Sequence, residues 1–429
     1  MRRTTMPLLL VAAALLCPVV IAAAQTVELT VRNERADALY QRGETATFII
    51  EMKTAGEPAT GVPVDVELST NAFRQSERRR VVLEDGQARV PVTQEESCVL
   101  WVRVTYQPDD GDPVRALTGA AFHPEGIEPS LPCPDDFRAF WDARKARMDA
   151  LPMNPVLTPV PSPVEGYEVF SVTMDGLDGT IVTGYLAKPA GDGPFPGLVR
   201  FQWSGVYSLD PNWALNYARL GYLAFNMNPH DIENGLPEQH YKDLVRGRLA
   251  AYTHQGRESR ETSYMGQMAL RCHRAVEFVA AQPEWDGLHM VSTGHSMGGF
   301  QALAAAALNP RVTAVAADAP GVCDQTAALV GRAPGWPHLV IVRGNEPDPA
   351  TLTAARYVDS VNFAAQITVP ALIGTAFQDL TCPSSGVFAA YNALQGPKEV
   401  AVDPLSGHSG QKPNWSRRSQ EFLREHRGR

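Results

Sequence analysis

Gly294-His295-Ser296-Met297-Gly298, followed by Gly299, sets a serine between glycines at the spacing G-x-S-x-G. The flanking residues give this string its weight. An apolar run, LHMVST over 288–293, reads as a strand, and FQALAAAAL within 297–309 reads as a helix. Strand, sharp turn and helix in that order make a nucleophile elbow. The small residues two before and two after the serine relieve crowding at a strained position. The first N–H groups of the following helix face the same spot and can stabilise an oxyanion. Ser296 is therefore the predicted nucleophile and the Met297 N–H one oxyanion donor.

A serine needs a base, and the chain holds ten histidines. Beyond the elbow stand His338, His408 and His426. His426 lies in a basic terminal run (FLREHRGR), where a solvated helix end is expected. His338 begins an apolar segment and precedes any suitable acid. His408 sits in the small flexible loop Ser406-Gly407-His408-Ser409-Gly410, just after a predicted strand at 399–403, so it is the predicted base. The carboxylate that orients the imidazole should follow an intervening strand. Asp379, after the strand at 371–375, fits best, with Asp403 second and Asp318 third. The second oxyanion donor should come from the loop after the strand at 197–203, Gln202 to Tyr207, in which Trp203 and Tyr207 are candidate substrate contacts. His295 adjoins the nucleophile, but at that turn position its ring should point away from the hydroxyl, which predicts a packing role.

The elements that must position these residues follow from periodicity. Strands and helices alternate from about residue 167 to 403, predicting a mostly parallel sheet covered on both faces. A polar stretch, 229 to about 258, interrupts the rhythm as an insertion. Upstream, 134–150 is amphipathic, with Phe137, Phe140, Trp141 and Met148 on one helical face. Before it lies a proline-rich linker, 124–134. Residues 26 to about 122 differ: short β-branched runs at 27–32, 46–53, 62–70, 87–92 and 98–106 are separated by turn residues, predicting a sandwich of immunoglobulin type.

Composition bounds the rest. The chain has 429 residues, 44% hydrophobic and 20% charged, with a formal net charge of −9. That balance supports a globular fold and excludes the basic footprint of nucleic-acid binding. Residues 1–24, with Arg2 and Arg3 before an apolar run and Ala22-Ala23-Ala24 at its end, have the layout of a secretory signal peptide. The expected division is 1–24 signal, 25–123 sandwich and 124–429 catalytic domain, giving a secreted or periplasmic protein with no membrane span after cleavage. Five cysteines then remain: Cys98, Cys133, Cys272, Cys323 and Cys382. They form no C-x-x-C pair, so no metal site is expected. Cys323–Cys382 and Cys98–Cys133 are equal candidates for a disulfide.

With these residues in view, the chain resembles the acetyl xylan esterase and cephalosporin-C deacetylase family of α/β-hydrolases. The resemblance spans roughly 133–425, from PDDFRAFWDARK through TGHSMGG and NPRVTAVAADAPGVCD to Asp379-Leu380-Thr381-Cys382-Pro383-Ser384. It implies O-deacetylation of acetylated carbohydrate or another small acyl ester through an acyl-serine. Ser296, Asp379 and His408 match the family's triad positions, and the Ser204 N–H matches its second oxyanion donor. No cofactor is implied, and a homo-oligomer is allowed unless the extra β module blocks it. Three positions depart from the pattern. Asn228-Pro229-His230-Asp231 stands where Arg-Gly-Gln is usual, Met297 where Gln is usual, and Ser409 where Glu tends to follow the histidine. Competing readings are another hydrolase chemistry of this fold (short-chain esterase, dienelactone hydrolase or peptidase) or a carbohydrate-binding protein with a silent hydrolase domain.

Overall fold

A computed structural model describes residues 26–344 and 346–428. The expected signal segment lies outside the described residues. No helix among those described is long and apolar enough to cross a membrane.

The N-terminal strands form two facing sheets, one of four strands and one of five. Alternating residues from both sheets, including Phe48, Ile50, Val66, Leu68, Leu100 and Val102, interdigitate in one apolar core. Two long strands beyond those expected, Arg74–Val82 and Val114–Phe122, and two short ones, Leu39–Tyr40 and Glu57–Pro58, complete it. The first is an edge strand rich in arginine, consistent with the charged residues that keep sheet edges from pairing with other chains.

The second unit is built on a nine-stranded mixed sheet. Val156–Val160, Tyr167–Asp175 and Ile181–Pro189 form its antiparallel flank. From Leu223–Met227 onward the neighbours are parallel: Phe195–Phe201, Trp285–His295, Ala314–Asp318, Ala371–Ala376 and Lys398–Asp403. The central strands are apolar on both faces because helices cover both. Tyr264–Ala280 and Met297–Leu308 pack against one side with Val199, Phe201 and Phe225. Pro211–Ala218 and Pro413–Glu425 cover the other, where Leu198, Tyr222, Val291 and Phe422 meet. This is the α/β-hydrolase arrangement, with a β-rich N-terminal region in front.

The two units share apolar contacts. Ala38, Val99 and Ala121 of the sandwich lie in one buried cluster with Phe377 and Phe388. Gly119 touches the loop after strand Ala371–Ala376 so closely that a Cβ there would stand 2.7 Å from Phe377 Cβ and 2.8 Å from the Leu100 carbonyl. The Gln378 amide donates to the Leu117 carbonyl at 2.6 Å. Farther along the seam, Ser130 of the linker bonds to Asp324, which Arg332 also pairs at 2.7 Å.

All five described cysteines are free thiols, which corrects the disulfide expectation. Cys98 is buried in the sandwich core, whereas Cys133 packs against the Phe137–Trp141 cluster of the other unit. The Cys323 thiol donates to the Pro320 carbonyl rather than bonding to Cys382.

Candidate active site

The elbow is formed as the sequence predicts. Strand Trp285–His295 delivers Ser296 into a left-handed backbone (φ 60, ψ −123), and helix Met297–Leu308 leaves at once. An L-residue there costs on the order of 1–2 kcal/mol, which the surroundings must over-determine. They do so with backbone bonds: Ser296 N–H donates to the Asp318 carbonyl at 2.9 Å, while its own carbonyl accepts from Gly299, Phe300 and Gly321. The flanking glycines are obligatory, because a Cβ on Gly294 would lie 2.2 Å from the Gly298 carbonyl oxygen and one on Gly298 would lie 2.5 Å from that of Phe201.

Three loops at the carboxyl edge of the sheet bring the expected triad together. His408 Nε2 lies 2.9 Å from Ser296 Oγ, and its Nδ1 lies 2.7 Å from Asp379 Oδ2. The other Asp379 oxygen accepts the backbone N–H groups of Thr381 and Cys382, at 2.9 and 2.8 Å. A carboxylate held this way accepts only, so His408 Nδ1 carries the proton and Nε2 is free to accept one from the serine. Cys382 also places its sulfur within 4.8 Å of ligand atoms on Asp379 and His408, but both ring nitrogens of His408 already face the other two triad members. The rejected acids have other partners. Asp403 caps helix Pro413–Glu425, accepting from Asn414 and Trp415 N–H groups. Asp318 pairs with His295 and Lys412.

The oxyanion pocket lies between the elbow and the loop after strand Phe195–Phe201. The backbone N–H groups of Met297 and Ser204 find no acceptor among the described residues, whereas that of Gly205 is bound to Tyr252 Oη at 3.2 Å. Below the loop, Gln301 donates to the Gln202 carbonyl and Gln202 to Asn226, tying the strand end to the elbow helix.

His230, from the stretch that departs from the family pattern, holds the loop from the other side. Its Nε2 lies 2.9 Å from the Gly205 carbonyl, which can only accept, so Nε2 carries hydrogen. Nδ1 therefore accepts from Tyr264 Oη at 2.8 Å. The ring is completely buried. Burial pushes its pKa from the ordinary 6.5 down to about 4, against the opposing effect of the Gly205 bond. Tyr252, also from the polar insertion, bridges Gly205 to Met297 Sδ, so one hydroxyl touches both sides of the oxyanion pocket. Both residues escaped the sequence reading. The available signal was the position of His230, immediately beyond a central strand on the edge where active-site loops gather.

A cavity of about 450 Å³ opens over the serine, lined by Trp203, Ser204, Ser296, His408, Arg200 and Lys412 among others. Trp203 lines it as expected and is 37% exposed. Tyr207 does not. Its hydroxyl donates to the Trp203 carbonyl and its ring packs against both Trp203 and Trp213, which also touch each other, so it supports the wall from outside the cavity. The packing role expected for His295 is also corrected. Its ring lies tilted against that of His408, 5.0 Å between centroids, and lines the same cavity, because its strand parity turns it toward the Asp318 side of the sheet. His295 Nδ1 lies 2.8 Å from Asp318 Oδ2, and Lys412 Nζ lies 3.1 Å from both Asp318 oxygens. Burial opposes charge on Asp318, but the His295 hydrogen bond and the Lys412 charge outweigh it and hold the carboxyl below its ordinary pKa.

The chain is similar to known proteins over most of its length. The family model for acetyl xylan esterase (AXE1) matches residues 126–426. The acetyl esterase Axe7A of Xylanibacter ruminicola is 29% identical over 394 residues, covering 89% of this chain and 86% of that protein. Among solved structures, an acetyl xylan esterase from Paenibacillus sp. R4 superposes with a TM-score of 0.61 at 28% identity, covering 71% of this chain and 98% of that one. Acetyl xylan esterase 1 from Thermoanaerobacterium sp. JW/SL YS485 gives 0.58 at 25% identity, with 70% and 97% covered.

Proposed function

Since the chain belongs to the acetyl xylan esterase family and is a carboxylic ester hydrolase, we propose that it removes acetyl groups from acetylated carbohydrate, xylan or its oligosaccharides, through an acyl-serine intermediate. The observation that carries this reading is His408, placed between Ser296 Oγ at 2.9 Å and Asp379 at 2.7 Å. Ser296 Oγ attacks the acetyl carbonyl carbon as His408 Nε2 takes its proton. The negative charge that builds on the carbonyl oxygen meets the N–H groups of Ser204 and Met297. Asp379 stabilises the imidazolium without taking its proton. His408 then protonates the departing sugar oxygen, and water, activated by the same nitrogen, releases acetate from the serine. The cavity of about 450 Å³ over Ser296 leaves room for a large alcohol.

The signal-like residues 1–24 support export of this enzyme to the polysaccharides it would meet there. Ser296→Ala tests the mechanism. Acetate release from acetylated xylan and p-nitrophenyl acetate, and labelling by a fluorophosphonate, should all fall to background. Full activity in that variant would refute the acyl-serine route.

A further inference from the structure

One side of the catalytic cavity, the lobe lined by Arg200, His295, Asp318 and Lys412, has a charge of its own. Strand parity turns Arg200, His295 and Asp318 to the sheet face covered by Pro211–Ala218 and Pro413–Glu425, opposite to Val199 and Phe201. At the carboxyl edge these side chains line the same cavity as Ser296 and His408. Lys412 closes the lobe, and its charge is spent on Asp318, which it contacts through both carboxylate oxygens at 3.1 Å. Arg200 is different. Its guanidinium has no carboxylate or carbonyl partner among the described residues, and the aromatic contact it makes is with the Tyr217 ring, 5.9 Å from the centroid. The lobe therefore carries one uncompensated positive charge beside the nucleophile.

A lone arginine on a central strand is a costly way to fill space. It loses hydration and side-chain freedom, and its planar fork matches a carboxylate. We propose that Arg200 is a specificity-determining residue that binds a carboxylate on the alcohol part of the ester, so that the preferred substrates are acetylated saccharides bearing a uronate. This rests on the acetyl-esterase reading above. With the acetyl carbonyl in the oxyanion pocket, the alcohol side must occupy the cavity, where Trp203 offers an apolar wall for a sugar face and Arg200 a cationic floor. Lys412 and Asp318 keep the neighbouring charges balanced, so the attraction is not cancelled at the site.

Two matched pairs of substrates test this. One is 3-acetoxybenzoate against phenyl acetate; the other is acetylated xylo-oligosaccharides with and without a glucuronic acid branch. The wild-type protein should favour the acidic member of each pair by about tenfold in kcat/KM, mainly through KM, as expected for one partly desolvated charge-assisted contact. Raising the salt concentration should shrink that ratio. Arg200→Gln should bring the ratio to near one, and Arg200→Lys should restore part of it, which a merely structural role would not do. Circular dichroism verifies the folding of both variants. Calorimetric binding of 3-hydroxybenzoate to wild type and Arg200→Gln reads the lobe even where no ester is cleaved, so loss of turnover on every ester overturns the esterase reading alone. No acidic preference in the wild type, or an equal one in Arg200→Gln, overturns the proposal. A preference confined to the benzoate pair overturns the uronate assignment.

Discussion

Buried, neutral His230 makes a prediction that can be worked through in numbers. An unfolded histidine takes its proton as the pH falls through about 6.5, whereas folded His230 takes one only near 4. Between those values the unfolded chain binds a proton that the folded chain refuses, so stability must fall with pH. The sign follows from the depressed pKa. The contribution is fully present above 6.5, is lost as the pH drops toward 4, and changes no further below that. Moving the pKa from 6.5 to about 4 corresponds to about 3 kcal/mol. The flanking charges, Arg271, Arg248 and Asp231, partly offset one another, and burial remains the first cause. The assay is urea unfolding followed by fluorescence at several pH values between 7 and 4, for the wild type and for His230→Gln. Glutamine can still donate to the Gly205 carbonyl and accept from Tyr264, but it does not titrate. Every other acid or base is common to both proteins and cancels in the difference. The wild type should lose about 3 kcal/mol more than the variant over this range. Parallel stability profiles, within about 0.5 kcal/mol, would show that folded His230 takes its proton at the same pH as the unfolded residue, and the assignment of Nδ1 as an acceptor from Tyr264 would fall with that result.

Gly119→Ala drives a methyl group into Phe377 and the Leu100 carbonyl. Because a backbone carbonyl cannot swing aside, the variant should lose about 1–3 kcal/mol in denaturant unfolding. Lys412→Met leaves buried Asp318 with only His295, a loss of about 3–5 kcal/mol that Asp318→Asn in the same chain should largely repair. The Lys412 pair should matter above the ordinary aspartate pKa and fade as the pH falls through the lower folded value, a trend that thermal unfolding against pH can follow. Asp379→Asn should lower kcat by about 10⁴ by favouring the wrong imidazole tautomer, whereas Asp403→Asn, at a helix cap, should alter the melting temperature and leave kcat within a few-fold.

Sequence alone exposed the groups whose positions are dictated by regular structure. Ser296 is legible because an apolar strand and an alanine-rich helix leave no room between them except for a glycine-lined turn. Asp379 and His408 are legible because each follows a strand of the same parallel series. What escaped depends on tertiary approach. The strand Val114–Phe122 is built from small residues, and its Gly119 makes sense only once Phe377 is seen against it. Edge strand Val156–Val160 carries Pro159, a residue that weakens any strand reading and is tolerated there because one side of an edge is unpaired. The stretch 229–258 reads as a polar insertion, yet it folds over the oxyanion loop and supplies Tyr252 and His230. Arg200 was hidden for the opposite reason. The string GLVRF reads as a short buried strand, and its one charge shows which way it faces only once the sheet order places it between two parallel neighbours.

The placement of the sandwich changes how the catalytic acid is held. Asp379 is fixed locally by two backbone N–H groups, but the loop that presents them has no helix of its own before Ser384–Ala393. Its preceding residues are pinned from outside: Phe377 against Gly119, and Gln378 on the Leu117 carbonyl. Phe377 is also part of the cluster that contains Val99 and Ala121. Without the sandwich, that ring and its apolar neighbours would face water, and burying a phenylalanine stabilises by about 1.5–3 kcal/mol. A free loop would adopt many conformations in which the Asp379 carboxylate misses the imidazole by an ångström or more, and such misplacement costs rate steeply. A carbohydrate-binding arm on a hinge would have no need of a glycine cut to the width of an aromatic ring behind the catalytic acid. That contact couples sandwich packing to triad geometry, so the two units follow each other in the chain while the acid loop depends energetically on both.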